Sequence, residues 1–162
     1  MTQHIMKSRA MSVIGAGVAA LTIVGTLAGC GGSGTEVTKD DSGATVIKFG
    51  INVANPAKQE PATNDIVEAF NKVNEGKYKV EFVAADTESH AKNMKLAASD
   101  GTLPQVFWVE GSQVTEFNEA GVLMDLTDFL DQNSDVKDAL NGSEAAFRDG
   151  NGVQYGLPYQ SN

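Results

Sequence analysis

Two apolar runs of different character constrain what this chain can fold into. Tyr78, Val80 and Phe82 alternate with Lys79 and Glu81, which is the pattern of a strand with one wet face, such as an edge strand. Val106-Phe107-Trp108-Val109 is unbroken apolar, as expected of a central parallel strand covered on both sides. Ahead of both, Val46 to Val53 (VIKFGINV) is β-branched and aromatic and reads as a first strand. Between the runs the apolar spacing becomes helical. Ile66, Phe70 and Val73 share one helix face, with Asn64 as N-cap and Gly76 as stop. Ala91, Met94 and Ala98 share another, with Thr87 as cap and Gly101 at the end. Ser112 opens a third helix that turns Val114 and Phe117 inward and ends at Gly121.

Two strand–helix–strand units in series favour an α/β fold with a parallel sheet and right-handed crossovers. A wet second strand and a dry third place the first strand between them, a spatial order of 2-1-3. Pro56 and Pro61 bracket a loop after the first strand. Beyond Gly121 the pieces shorten: Val122-Leu123-Met124, a turn at Asp125, and helical fragments around Phe129 and Ala139. Asn151 to Pro158 (NGVQYGLP) reads as a β segment entered through a Gly-rich turn, and no internal repeat is visible.

The N-terminus has a separate logic. Lys7 and Arg9 precede an uncharged run from Met11 that closes on Leu27-Ala28-Gly29-Cys30, the layout of an export signal. Leu-Ala-Gly-Cys resembles a bacterial lipobox, which implies cleavage before Cys30 and a diacylglyceryl thioether on its sulfur. Two acyl chains hold stably because each buried methylene contributes about 0.8 kcal/mol. The run is about 20 residues, so an uncleaved membrane helix is the other reading, although it is rich in Gly and Ala. Gly31 to Ala44 (GGSGTEVTKDDSGA) has no apolar periodicity and reads as a flexible tether. The expected divisions are therefore a leader over 1–29, a linker over 30–44 and a folded body over 45–162.

Charge and residue usage exclude several classes. With Lys7 and Arg9 removed in the leader, ten basic residues face twenty-one acidic ones, a formal charge of −11. That balance argues against nucleic acid, which demands clustered Lys and Arg. Cys30 is the single cysteine, so no internal disulfide forms. His90 is the one histidine after the leader, so no Cys/His metal site is available, and a lone helical His reads as a surface residue. No cofactor is implied.

The body resembles the family-one extracellular solute-binding proteins of bacterial ABC importers, the group that includes maltose-binding protein. Lys95 to Val106 (KLAASDGTLPQV) is similar to that family's helix, Gly turn and Pro-Asp-Val strand opening, with Gln105 in place of the Asp. Ala120 to Leu126 (AGVLMDL) is similar to its Ala-Gly-x-Leu-x-x-Leu segment, and Gly152 to Pro158 to its Gly-x-x-Tyr-Gly-Leu-Pro strand. The resemblance implies a type II periplasmic-binding-protein lobe, incomplete because the family's chains are more than twice this long. It implies a further strand and a second lobe after Asn162. It also implies a lipid-anchored receptor outside the cytoplasmic membrane, in the periplasm where an outer membrane exists, that closes by a hinge on a solute and serves importer permease subunits. Such a receptor makes and breaks no covalent bond.

In an open parallel sheet the ligand binds beyond the carboxyl ends of the strands. Here that means Ala54 to Lys58, Ala85 to Glu88 and Trp108 to Gln113. Trp108 and Glu110 stand where the resembled maltose binder has a Trp followed by an acid. A flat indole covers an apolar sugar face while a carboxylate accepts hydroxyl hydrogen bonds. Trp108 also suits the core of its strand, and Glu110 a solvated loop. Gln160 and Ser161 are similar to polar residues of the family's hinge-side pocket wall, and Asn55 is a further candidate, although Asn before Pro is a common turn former. A sugar or oligosaccharide is the expected ligand, even though the first strand ends in Asn52-Val53 where sugar binders often carry a Trp. Peptides, polyamines and metal chelates stay open. Two other functions stay open as well: a glycan-acting surface enzyme, which needs a carboxylate pair such as Glu110 and Asp125, and a sensory lipoprotein using the same lobe.

Overall fold

The computed structural model describes residues 37–159. The leader, the lipobox and Cys30, the tether as far as residue 36, and Gln160 and Ser161 lie outside the described residues. Four strands form one sheet: β1 (Thr38–Lys39), β2 (Thr45–Ile51), β3 (Tyr78–Ala84) and β4 (Val106–Phe107). β3 runs parallel to β2 along its whole length, from Thr45 opposite Tyr78 to Ile51 opposite Ala84. On the other edge of β2, β4 pairs in parallel at Phe49–Val106 and Gly50–Phe107, and β1 pairs antiparallel at Thr38–Val46 and Lys39–Thr45. β2 is thus the strand on which the sheet is assembled.

β1 falls inside 30–44, the stretch expected to be linker, so Thr38 and Lys39 belong to the sheet. The Asp40 carboxylate closes the turn behind β1, accepting from Ser42 N–H at 2.9 Å and Ala44 N–H at 3.0 Å. A two-residue strand held by backbone bonds requires no apolar pattern, so composition alone does not reveal it.

Two side-chain amides complete the sheet where strands are missing. Gln105 Oε1 accepts from Lys48 N–H at 2.8 Å, in the gap that β1 and β4 leave on β2. Asn71 closes on β3 as a neighbouring strand would. Its Oδ1 accepts from Val80 N–H at 2.7 Å and its Nδ2 donates to Val80 C=O at 3.0 Å. Covering an edge in this way satisfies backbone groups and blocks pairing with another chain.

The segment expected to be a loop between Pro56 and Pro61 is helical: α1 (Pro56–Gln59), then α2 (Pro61–Val73). Each proline occupies a first-turn position, where its missing N–H costs nothing and its fixed φ suits the helix. Asn64 is therefore inside α2, donating to Glu68 at 2.8 Å, and does not cap it. The apolar residues that share one face of α2 are exposed, Ile66, Phe70 and Val73 at 68 %, 38 % and 84 %. Asn71, bound to β3, sets the helix's rotation and leaves that stripe on the open side.

α3 (Thr87–Asp100) behaves as expected on its inner face, where Met94 is buried and Ala97 and Ala98 are packed. Its cap is Asp86, whose carboxylate accepts from Ser89 N–H at 3.0 Å, while Thr87 donates to Asn52 C=O at 3.1 Å. Gly101 ends the helix at φ 68°, the left-handed conformation that favours glycine. His90 is not a surface residue: it is 2 % exposed.

The core gathers Met94, Leu103 and Phe117, with Phe107, Val109, Val122 and Leu123 packed against it. Phe107 meets Phe117 edge-to-face at 5.2 Å. Val106 points the other way along the pleat and is 50 % exposed, so the third strand is covered on one face and not on two. It is also shorter than its apolar run, ending at Phe107. A 3₁₀ turn (Gly111–Gln113) then leads into α4 (Val114–Glu119), which buries Val114 and Phe117. α5 (Thr127–Gln132), α6 (Ser134–Leu140) and a second 3₁₀ turn (Ser143–Phe147) follow. The β segment expected near 151–158 is reduced to one bridge, Arg148 with Gln154.

Gly50 is the tightest point of the sheet. A Cβ there would stand 3.1 Å from Phe107 Cβ, 3.1 Å from Pro104 Cγ and 3.3 Å from Met94 Sδ. Gly50→Ala is expected to destabilise the fold by about 1–3 kcal/mol, as overpacking does, read as a lowered urea midpoint at unchanged slope.

Candidate functional site

Immediately after β4 the chain leaves the sheet, and the residues there open onto a groove of about 940 Å³. One wall is β4 and its continuation, Val106 to Gly111. The other is formed by Phe147 and the run Tyr155 to Tyr159. Leu103, Val122, Leu123 and Met124 add apolar surface to the lining. Trp108 and Glu110 are therefore brought together on one wall of a single groove.

The Trp108 peptide is held from two sides. Its N–H donates to Gly50 C=O at 2.8 Å, prolonging the contact with β2 by one residue past the ladder. Its C=O accepts from His90 Nε2 at 2.8 Å. The two rings meet edge-to-face, with centroids 6.1 Å apart.

Glu110 is exposed and caps the 3₁₀ turn. Its carboxylate accepts from the Gln113 N–H, while the Gln113 side chain accepts from Glu110 N–H at 3.4 Å, a reciprocal capping box. A carboxylate has about four acceptor positions, so the cap leaves oxygen lone pairs free for a ligand hydroxyl.

The opposite wall is fixed by Gln154, a residue the sequence patterns did not single out. It is 1 % exposed and fully engaged. Its Nε2 donates to Glu144 C=O at 2.9 Å and Gly156 C=O at 2.5 Å, and its Oε1 accepts from Arg148 Nε at 3.3 Å. Its backbone N–H donates to Thr127 Oγ1 at 3.1 Å and its C=O accepts from Leu126 N–H at 2.7 Å. Gly156 then passes so close to Phe147 that a Cβ would stand 3.2 Å from the ring. Tyr159, at the end of this wall, hydrogen-bonds Thr63 and donates to Glu60 at 3.4 Å, tying the wall to α2. Tyr155 and Tyr159 add aromatic surface to the groove. The sequence signal for Tyr155 was the Tyr-Gly-Leu-Pro run, which marked a strand and not a pocket wall; Tyr159 lies just past it.

Asn55 does not join this groove. Its Oδ1 accepts from Lys58 N–H at 3.2 Å and its own N–H donates to Gln59, so it is the cap of α1. The segments 54–58 and 85–88, expected beside the ligand, are likewise absent from the groove lining. Asp125 also lies outside the lining, although its neighbours Met124 and Leu126 contribute to it. Among the described residues no three His, Cys, Asp or Glu side chains gather as metal ligands, and no helix is long and apolar enough to cross a membrane.

Residues 65–162 match the family profile described as bacterial extracellular solute-binding protein. No curated protein matches the chain. Among solved structures, a protein from Caldanaerobius polysaccharolyticus, described in work on xylan utilization, superposes at TM-score 0.60 with 22 % identity, over 70 % of this chain and 28 % of that one. The galacto-N-biose/lacto-N-biose I-binding protein of a Bifidobacterium longum ABC transporter, in complex with lacto-N-biose, superposes at 0.58 with 24 % identity, over 74 % and 29 %. The maltotriose-binding protein of Thermus thermophilus, bound to maltotriose, superposes at 0.54 with 21 % identity, over 69 % and 28 %. The chain spans less than a third of the length of these proteins, and at such identities the likeness establishes the fold.

The hydroxyl and N–H of Thr127 beside Asp125 hold its carboxyl below the usual carboxylate range. A depressed folded-state pKa contributes stability that is present above the unfolded value, about 3.9, and lost as pH falls through the folded one. Asp125→Asn keeps an acceptor for the Thr127 N–H but removes the titrating group. Its melting temperature is expected to fall less steeply than the wild type's below about pH 4, measured by thermal melts across that range.

Proposed function

The chain belongs to the bacterial extracellular solute-binding protein family, and from that membership we propose that it forms part of one lobe of a receptor that captures a sugar or oligosaccharide for an ABC importer. The observation that carries the ligand class is that Trp108 and Glu110 line one largely apolar groove together with Tyr155 and Tyr159. An indole face covers the apolar side of a pyranose, and a carboxylate flanked by apolar surface accepts its hydroxyl protons. Similar folds are described with lacto-N-biose and maltotriose bound, which supports carrying this class of ligand to the present chain.

In this reading the remaining surface of the pocket comes from a second lobe, with Gln160 and Ser161 on the hinge-side wall. Closure of the two lobes is driven by contacts that the ligand makes better in the closed state. The role involves binding and release, with no covalent step. Cleavage ahead of Cys30 and acylation of its sulfur would hold the receptor at the outer face of the cytoplasmic membrane. The acidic balance of the body suits that location, since it disfavours collapse onto anionic lipid.

Two measurements test this. Maltotriose, lacto-N-biose and xylo-oligosaccharides are titrated into the full native protein that contains this chain. At least one is expected to raise the melting temperature, and Trp108→Ala is expected to weaken its binding by about 2 kcal/mol or more, roughly thirtyfold. Absence of any shift across the sugar panel removes the ligand class. Metabolic labelling with a fatty-acid probe is expected to mark the native protein and to leave Cys30→Ser unlabelled; equal labelling of both refutes the anchor.

A further inference from the structure

His90 presents a problem that the ligand groove itself does not solve. Its imidazole is almost completely enclosed at 2 % exposure, yet its Nδ1 is buried with no hydrogen-bond partner. An enclosed polar atom left unpaired is unfavourable, and an apolar ring of similar size would fill the space without that penalty. The imidazole's gain must come from its other nitrogen. Because a carbonyl oxygen only accepts, Nε2 carries a proton and donates it to Trp108 C=O at 2.8 Å.

The location of that bond gives it a purpose. The β2–β4 ladder ends with Gly50 opposite Phe107, so Trp108 is the first residue with no paired strand to direct it. Its N–H still reaches Gly50 C=O at 2.8 Å, and His90 secures the carbonyl at the other end of the residue. His90 is itself rigidly placed, since its N–H donates to Asp86 C=O at 2.7 Å in the capped first turn of α3. The imidazole also lies edge-to-face against the indole at 6.1 Å. Backbone and ring are thus both constrained by one side chain from a different element.

We infer that His90 is a positioning residue that fixes the Trp108 indole in its groove-facing conformation and thereby sets sugar affinity; the second half rests on the proposed sugar-binding role of Trp108. Two substitutions separate orientation from packing. His90→Phe keeps a planar ring and loses the donor. His90→Gln keeps an N–H donor at the position of Nε2 and loses the ring.

The test uses the full native protein carrying 5-fluorotryptophan, with the Trp108 fluorine resonance identified by its disappearance in Trp108→Ala. The wild type is expected to give one sharp Trp108 line. His90→Phe, shown to be folded by a cooperative melt, is expected to shift or broaden that line and to weaken binding of whichever of maltotriose, lacto-N-biose or xylotriose binds the wild type by about tenfold. His90→Gln is expected to retain the line and to bind within about threefold of wild type. An unchanged line in His90→Phe, or equal losses in both variants, overturns the positioning role. If Trp108→Ala binds the sugar as the wild type does, or if no sugar binds, the link to affinity falls together with the proposed role of Trp108. The fluorine spectra still decide separately whether His90 orients the indole.

Discussion

The structure depends on how closely other elements approach β2 at Gly50. There the absence of a side chain lets Phe107, Pro104 and the Met94 thioether converge so closely that an added Cβ would stand 3.1–3.3 Å from them and force its neighbours to give. That approach brings β4 into register, seats α3 over the sheet, and puts Gly50 C=O within reach of Trp108 N–H. Phe107 and Pro104, which make this contact, also line the groove. A bulkier residue at position 50 would displace the wall that carries Trp108 and Glu110, so the packing constraint in the core and the geometry of the site are one matter.

Around that centre the sheet is completed by amide side chains as much as by strands. Gln105 fills the space on β2 between β1 and β4, and Asn71 pairs with Val80 as a strand would. Both are polar residues in segments of apolar rhythm, where a sequence pattern registers only an interruption. Gln105 in particular replaces the Asp of the resembled family's motif, and its longer side chain has a definite structural task here. Gln154 does the same for the far wall of the groove, binding three backbone groups, the Thr127 hydroxyl and one arginine from an enclosed position.

Much of the fold was legible. The alternation of two-residue and helical spacing located β2, β3 and α3, and the glycine that ends α3 was read correctly. The parts that escaped were those whose signal is backbone bonding or a long-range partner. β1 is two residues of polar sequence, α1 and α2 begin at prolines that also suit a loop, and the stripe of Ile66, Phe70 and Val73 faces outward because Asn71 is engaged with β3. Of the candidate ligand residues, Trp108 and Glu110 share a groove, whereas Asn55 is consumed in capping α1. His90 seemed a surface residue because a lone helical histidine carries no indication of what packs above it.

Local chemistry in the chain was enough to place β2, β3 and α3 and to indicate an α/β class of fold, because helix and strand periodicities and turn residues act over a few neighbours. It also excluded disulfides and Cys/His metal sites by the mere count of cysteine and histidine. Only the tertiary structure decided which face of α2 is covered, where the third strand stops, and that His90, Gly50 and Trp108 form one unit. Those outcomes turn on contacts between residues far apart in the chain, whose free energies depend on distance and burial that no local pattern encodes.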